Sequence, residues 1–201
     1  MNSTENKPSD LTWNIAVFAS GNGSNAEKLF EYFESNKKIN ISLLLSNNQN
    51  AFAIKRAENH KIPTLTFNRE DFYHTQKIAN ILASNKIHLI VLAGFLWKIP
   101  EYLIKQFPNK IINIHPALLP KFGGKGMYGK YVHEAVVDAK EKSSGITIHF
   151  INEQYDEGQI IFQASVDLLP TDTPEMVAKK VLELEHMHYP KIVEKVLEGF
   201  K

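Results

Sequence analysis

Short apolar runs rich in β-branched residues alternate with segments whose apolar positions recur at helical spacing, which predicts a layered α/β domain. The first strand, Asn14–Ser20, is apolar almost throughout, as expected of a parallel strand covered on both faces. A helix follows from about Asn25, where Leu29, Phe30 and Phe33 fall on one face. Ile41–Leu45 predicts a second strand, Ala51–Asn59 a helix and Thr64–Phe67 a short strand. Asp71–Ser84 reads as one helix, with Phe72, Ile78, Ile81 and Leu82 apolar. His88–Leu92 and Lys110–His115 are the next strands, the latter flanked by Pro108 and Pro116. After Gly145 the pattern changes: Ile146–Ile151 and Ile160–Val166 are joined by a polar link around Tyr155–Gln159, too short for a parallel crossover. The sheet is therefore expected to be mixed. Thr173-Pro174-Glu175 supplies an N-cap, a proline at the first helical position and an acid in the first turn. A last helix is expected from Pro174 to about Glu198, with a break at Pro190.

Composition narrows what such a domain can do. The 201 residues are 43% hydrophobic and 22% charged, the range of an ordinary globular chain, and suffice for one well-buried domain. The formal net charge is +1 and the lysines are scattered, so the chain carries no electrostatic footprint for nucleic acid or an anionic membrane. With no cysteine, disulfides, zinc–thiolate sites, iron–sulfur clusters and cysteine nucleophiles are excluded, and a reducing compartment is compatible. No apolar run approaches the ~20 residues of a membrane helix. The polar start, residues 1–12, is expected to be a frayed tail and not a signal peptide, with a single domain over residues 13–201.

Two segments carry candidate chemistry. Ser20-Gly21-Asn22-Gly23-Ser24-Asn25-Ala26 joins the first strand to the first helix, where exposed N–H groups face an anion. Its G-x-G-x-x-A pattern is also a dinucleotide fingerprint, but the second strand ends in Ser46-Asn47-Asn48 without the carboxylate that would hold a ribose. No Gly-Lys-Ser/Thr follows, so it is not a Walker loop either. A phosphate-monoester site and a tight βα turn without ligand both remain open. The second segment is Asn113-Ile114-His115-Pro116. Asn113 and His115 lie two apart on a strand, hence on one side of the sheet, near the carboxyl end where open α/β sheets bind ligands. Both could donate to one developing oxyanion, with Asp156 of Tyr155-Asp156-Glu157-Gly158 as the carboxylate partner. Equally, the pair could cap loop carbonyls while Asp156 forms a turn. The other histidines look bland: His60 and His74 sit on surfaces, His149 lies within a strand, and His186 and His188 do not share a helix face. No metal site is assigned.

These residues resemble a known family. Ser20–Asn25, Leu92-Ala93-Gly94-Phe95, Asn113-Ile114-His115-Pro116-Ala117-Leu118-Leu119-Pro120 and Gly145–Gly158 together look like the phosphoribosylglycinamide formyltransferases of purine biosynthesis, from about Trp13 to the last helix. The Asn-Ile-His-Pro element and the later Asp-x-Gly are shared by 10-formyltetrahydrofolate-using transferases at large; the Ser-Gly-Asn-Gly-Ser-Asn turn is more specific. The resemblance implies a Rossmann-like formyltransferase fold, mostly parallel with antiparallel strands in its C-terminal part. It implies 10-formyltetrahydrofolate as co-substrate and the amine of glycinamide ribonucleotide as acceptor. The catalytic trio falls on Asn113, His115 and Asp156: the first two hold the tetrahedral oxyanion, and Asp156 keeps His115 protonated. Substrate phosphate is implied at Gly23, Ser24 and Asn25, with Glu185 near the ribose. Folate contacts are implied at Arg69, at Leu96, Trp97, Lys98 and Ile99, and from Asn152 to Asp156. A cytoplasmic monomer or homodimer acting on small molecules, with no nucleic-acid or membrane partner, goes with that picture.

The chain departs from familiar members in two places. Phe122-Gly123-Gly124-Lys125-Gly126-Met127-Tyr128-Gly129 is longer and richer in glycine than their loop, and a mobile lid is expected there. The side chains of Leu96-Trp97-Lys98 also differ, so folate contacts there are expected to be mostly backbone. Among rivals, methionyl-tRNA formyltransferase adds a C-terminal RNA-binding domain and formyltetrahydrofolate hydrolase an N-terminal regulatory one, and no room for either is expected here. A Rossmann-type reductase or sensor is favoured by Gly21 and Gly23 and opposed by Ser46-Asn47.

Overall fold

The computed structural model describes residues 12–200; the expected tail at residues 1–12 therefore lies outside the description except for its last residue. The elements in chain order are β1 (Trp13–Phe18), α1 (Ser24–Phe33), β2 (Ile39–Ser46), α2 (Phe52–Asn59), β3 (Thr64–Thr66), α3 (Arg69–Tyr73), α4 (Lys77–Ser84), β4 (Leu89–Leu92), α5 (Glu101–Gln106), β5 (Ile111–His115), α6 (Lys130–Asp138), β6 (Ser143–Phe150), β7 (Ile160–Asp167) and α7 (Pro174–Glu198). The strands form one seven-stranded sheet in the order β3-β2-β1-β4-β5-β6-β7. Pairing is parallel from β3 to β5 and antiparallel for β5–β6 and β6–β7. The mixed α/β sheet expected from the sequence is thus present.

Alternate residues of the strands feed two cores. Ile15 and Val17 of β1 pack toward α1, α2 and α7, while Ala16 and Phe18 pack toward α3, α4 and α5. Both faces of the parallel strands are covered, which is why their sequences are apolar throughout. The chain runs outward from β1 to β3 and then returns to place β4 on the other side of β1. That reversal opens a crevice beyond the carboxyl ends of β1 and β4, where sheets of this type bind ligands.

Three local expectations need correction. The helix expected over Asp71–Ser84 is two helices: Asn68 caps α3 by accepting from the Asp71 N–H at 2.8 Å. The Thr75 hydroxyl then donates to the Asp71 carbonyl and accepts from the Lys77 N–H, diverting backbone groups that a continuous helix would use. Second, α7 runs unbroken through Pro190. Tyr189 and Pro190 are buried, and the Tyr189 hydroxyl donates to the Leu92 carbonyl at 2.9 Å, with the Ile112 carbonyl at 3.4 Å. Packing and this buried hydrogen bond outweigh the backbone bond that proline forfeits. Third, α5 and α6 were not anticipated. The buried pair Val132 and Val136, four apart, was the available signal for α6.

Candidate active site

The carboxyl ends of β4 and β5 border a cavity of ≈ 520 Å³, within the ~300–1,000 Å³ typical of small-molecule sites. Asn113 and His115 line it from β5. In the antiparallel register with β6, Asn113 lies opposite His149 and His115 opposite Thr147, so all four side chains share one face. Ile112, Ile114, Ile146 and Ile148, on the opposite face, anchor both strands in the core beneath α7.

His115 is buried. Its Nε2 lies 2.8 Å from the Phe122 carbonyl, which can only accept, so Nε2 carries a proton. Nδ1 faces Asp156 Oδ2 at 3.7 Å, opposed but beyond hydrogen-bond length. Asp156 has a left-handed backbone, φ 55°, in the turn between β6 and β7. A Cβ at Gly158 would collide with the Phe150 carbonyl, so the turn that aims Asp156 inward closes only with glycine there. Asp156 Oδ2 accepts from the Gly124 N–H at 2.9 Å, and its Oδ1 lies 3.7 Å from His149 Nε2. The loop at residues 121–129 thus touches both members of the pair through its backbone: Phe122 holds the imidazole and Gly124 the carboxylate.

The turn between β1 and α1 adjoins the cavity. Gly23 has φ 75°, and a Cβ there would collide with Ala53; it caps α1 without a side-chain bond. The turn is braced from α2: the Ala53 N–H donates to the Gly21 carbonyl at 3.1 Å, and Arg56 donates to the Asn22 carbonyl at 2.9 Å while pairing with Glu27. Asn25 Nδ2 donates to Glu185 Oε2 at 2.7 Å, whereas Asn25 Oδ1 is buried without a partner among the described residues. Burial pushes the Glu185 carboxyl up to about 7, partly offset by the Asn25 hydrogen bond.

Of the residues singled out in the sequence, Asn113, His115, Asp156, Asn25, Glu185, Leu96, Trp97, Lys98, Ile99 and Asn152 line the cavity. Gly23 and Ser24 adjoin it at the start of α1 without forming its wall. Arg69 is also outside the lining; its guanidinium lies over the Trp97 ring at 5.0 Å and near Tyr73 at 5.9 Å. Lys98 lies over Tyr155 at 5.1 Å, at the same mouth. Two histidines escaped sequence reasoning. His149, set aside as bland, is fully buried between Asn113 and Asp156. His133 of α6 lines the cavity with Nδ1 buried and, among the described residues, unpartnered; burial, and then His115, lower its pKa. The His149 signal lay in the β5–β6 register, which the sequence does not state.

Residues 13–193 match the family model described as formyl transferase. The chloroplastic phosphoribosylglycinamide formyltransferase of Arabidopsis thaliana is 41% identical over 191 residues, covering 92% of this chain. This chain spans only 65% of that relative's length. The phosphoribosylglycinamide formyltransferase of Bacillus subtilis is 36% identical over 91% of this chain and 94% of its own length. The crystal structure of phosphoribosylglycinamide formyltransferase from Anaplasma phagocytophilum superposes with a TM-score of 0.85 at 36% identity, over 94% of this chain and 88% of that one. Sequence, fold and cavity agree, and the chain belongs to the formyl transferase family, in the branch whose members are named phosphoribosylglycinamide formyltransferase.

Proposed function

We propose that this chain transfers the formyl group of 10-formyltetrahydrofolate to the primary amine of glycinamide ribonucleotide, a step of purine biosynthesis. The convergence of Asn113, His115 and Asp156 on one wall of the cavity supports this most directly. In the transfer, the amine nitrogen bonds to the formyl carbon and the formyl oxygen becomes an oxyanion. The bond from that carbon to the folate N10 then breaks, and the proton lost by the amine ends on N10. Asn113 donates to the oxyanion through Nδ2. His115 has its Nε2–H committed to Phe122, which leaves Nδ1, and Nδ1 donates only when the ring is an imidazolium. The Asp156 carboxylate stabilises that cation and takes the amine proton on its way to N10. Donors held in place before the reaction need no reorganisation during it.

In the same proposal, Gly23, Ser24 and Asn25 take the substrate phosphate at the α1 N-terminus, and Glu185 with Asn25 the ribose hydroxyls. Asn25 Oδ1, buried without a partner among the described residues, is an acceptor that a ribose hydroxyl would satisfy. Leu96–Ile99 and Asn152 take the folate, with Arg69 acting from outside through Trp97. The chain works on small molecules in the cytoplasm, as a monomer or homodimer. The test is an assay with 10-formyltetrahydrofolate in which glycinamide ribonucleotide, initiator methionyl-tRNA and water compete as acceptors. Formylated glycinamide ribonucleotide should dominate; transfer chiefly to the tRNA or to water would refute the assignment.

A further inference from the structure

His149 is a buried titratable group that the mechanism above leaves without a task. Its Nδ1 lies 2.9 Å from the Phe150 carbonyl, an acceptor only, so Nδ1 carries a proton. Its Nε2 lies 3.3 Å from Asn113 Nδ2, a donor only, so Nε2 has to be bare to bond it. Together the two contacts specify one chemical form, the neutral ring protonated on Nδ1. Accepting one N–H of the Asn113 amide fixes the amide plane and leaves the second N–H free for another acceptor.

We infer that His149 is a positioning residue, which as a neutral imidazole orients the Asn113 amide so that a donor and not a carbonyl oxygen meets the formyl oxygen. This rests on the transfer role proposed for Asn113. The alternative form of His149 would work against it twice. An imidazolium would carry Nε2–H toward Asp156 Oδ1, 3.7 Å away, and would repel Asn113 Nδ2. Turned about, the amide would set its Oδ1 toward His149 and withdraw the donor from the cavity. The same proton would draw Asp156 from His115 toward His149. Two ionisable groups face the ring, His115 from β5 and Asp156 from the β6–β7 turn. Burial is the largest influence and lowers the His149 pKa; His115 also lowers it, while the Phe150 carbonyl and Asp156 raise it. The balance favours the neutral ring.

Long-range proton–nitrogen NMR of the full chain with labelled histidine reads the form directly. At neutral pH the His149 signals, assigned by their loss in His149→Gln, should report a bare Nε2 and a protonated Nδ1. An imidazolium, or a neutral ring protonated on Nε2, would overturn the inference whatever the enzyme's activity. Kinetics give the second readout: Gln offers an acceptor oxygen near the Nε2 position, and Leu offers none. His149→Leu should lower kcat by about 10–100-fold with KM for either substrate moved less than about threefold. His149→Gln should recover about tenfold of that loss. A normal kcat in the Leu variant, or equal losses in folded Leu and Gln variants, would count against the inference. If the wild-type chain fails to formylate glycinamide ribonucleotide, the proposed function falls, and the NMR still decides the form of His149.

Discussion

Beside β1 the cavity adjoins a backbone turn at Gly23; at β5 it is lined by Asn113 and His115, which pair across to β6. In the parallel region, a positive-φ glycine and a helix start present N–H groups, and α2 braces the turn through Ala53 and Arg56. In the antiparallel region, cross-strand pairing brings Asn113 against His149 and sets His115 toward Asp156. The difference follows from geometry. Every strand of a parallel sheet ends at the same edge, so connecting turns gather there. Antiparallel neighbours instead place side chains directly opposite one another, ~4.5–5.5 Å apart at Cβ, where a polar network can be assembled. The first arrangement suits holding a substrate, the second stabilising a charge that appears during reaction.

If that division is right, changes on the two sides should fail differently. The largest effect is expected for His115→Ala: kcat should fall by about 10²–10⁴-fold with an unchanged circular dichroism spectrum and little change in KM. A rise in KM alone would move His115 to the binding side. Next comes Gly23→Ala, which brings strain at φ 75° and a collision with Ala53. It should raise KM for the ribonucleotide by about tenfold or more and lower stability by about 1–3 kcal/mol, with kcat at saturation nearly kept; denaturant unfolding and steady-state kinetics check both.

Glu185 sharpens the comparison through pH. With its carboxyl raised to about 7 in the folded chain against an ordinary 4.5, the folded state retains a proton that the unfolded state releases. Stability from this group therefore falls as pH rises from about 4.5 to 7. Glu185→Gln should be more stable than the wild type above pH 7, by up to about 2–3 kcal/mol, and no different below about 4.5. Thermal unfolding across that range tests it; a gain largest in acid would reverse the assigned environment. The smallest effect is expected for Arg69→Ala. Outside the cavity and stacked on Trp97, it should change KM for the folate by only about two- to fivefold, as one partly exposed cation–π contact allows. A hundredfold change would mean that Arg69 meets the folate directly.

Much of the parallel half was legible because strands buried on both faces leave uninterrupted apolar runs, as at Ile15–Phe18 and Leu89–Leu92. The antiparallel edge was legible in kind, since the link after Phe150 is too short for a crossover, but not in register. Register decides that His149 and not another polar residue of β6 meets Asn113, and it depends on the pairing of two strands distant in sequence. The break at Thr75 hid because a hydroxyl competing for backbone bonds looks like any exposed threonine. Pro190 misled in the other direction: the local rule against proline was outweighed by burial of its neighbour Tyr189, contributed by strands about 80–100 positions earlier. The candidate trio was visible as residue types and order; its contacts to the Phe122 carbonyl and the Gly124 N–H involve backbone groups and leave no trace in side-chain identity.

The Tyr189 hydroxyl fastens α7 to Leu92 at the end of β4 and to Ile112 within β5, and burial raises its pKa so that it stays protonated and keeps donating. Glu185 stands four residues earlier on that helix, about 6 Å along its axis. The helix therefore acts as a spacer bolted to the sheet, indexing Glu185 against Asn113 with the stiffness of a single helical turn. In the function proposed above, the separation between the acceptor's grip and its reacting amine is then set when the chain folds.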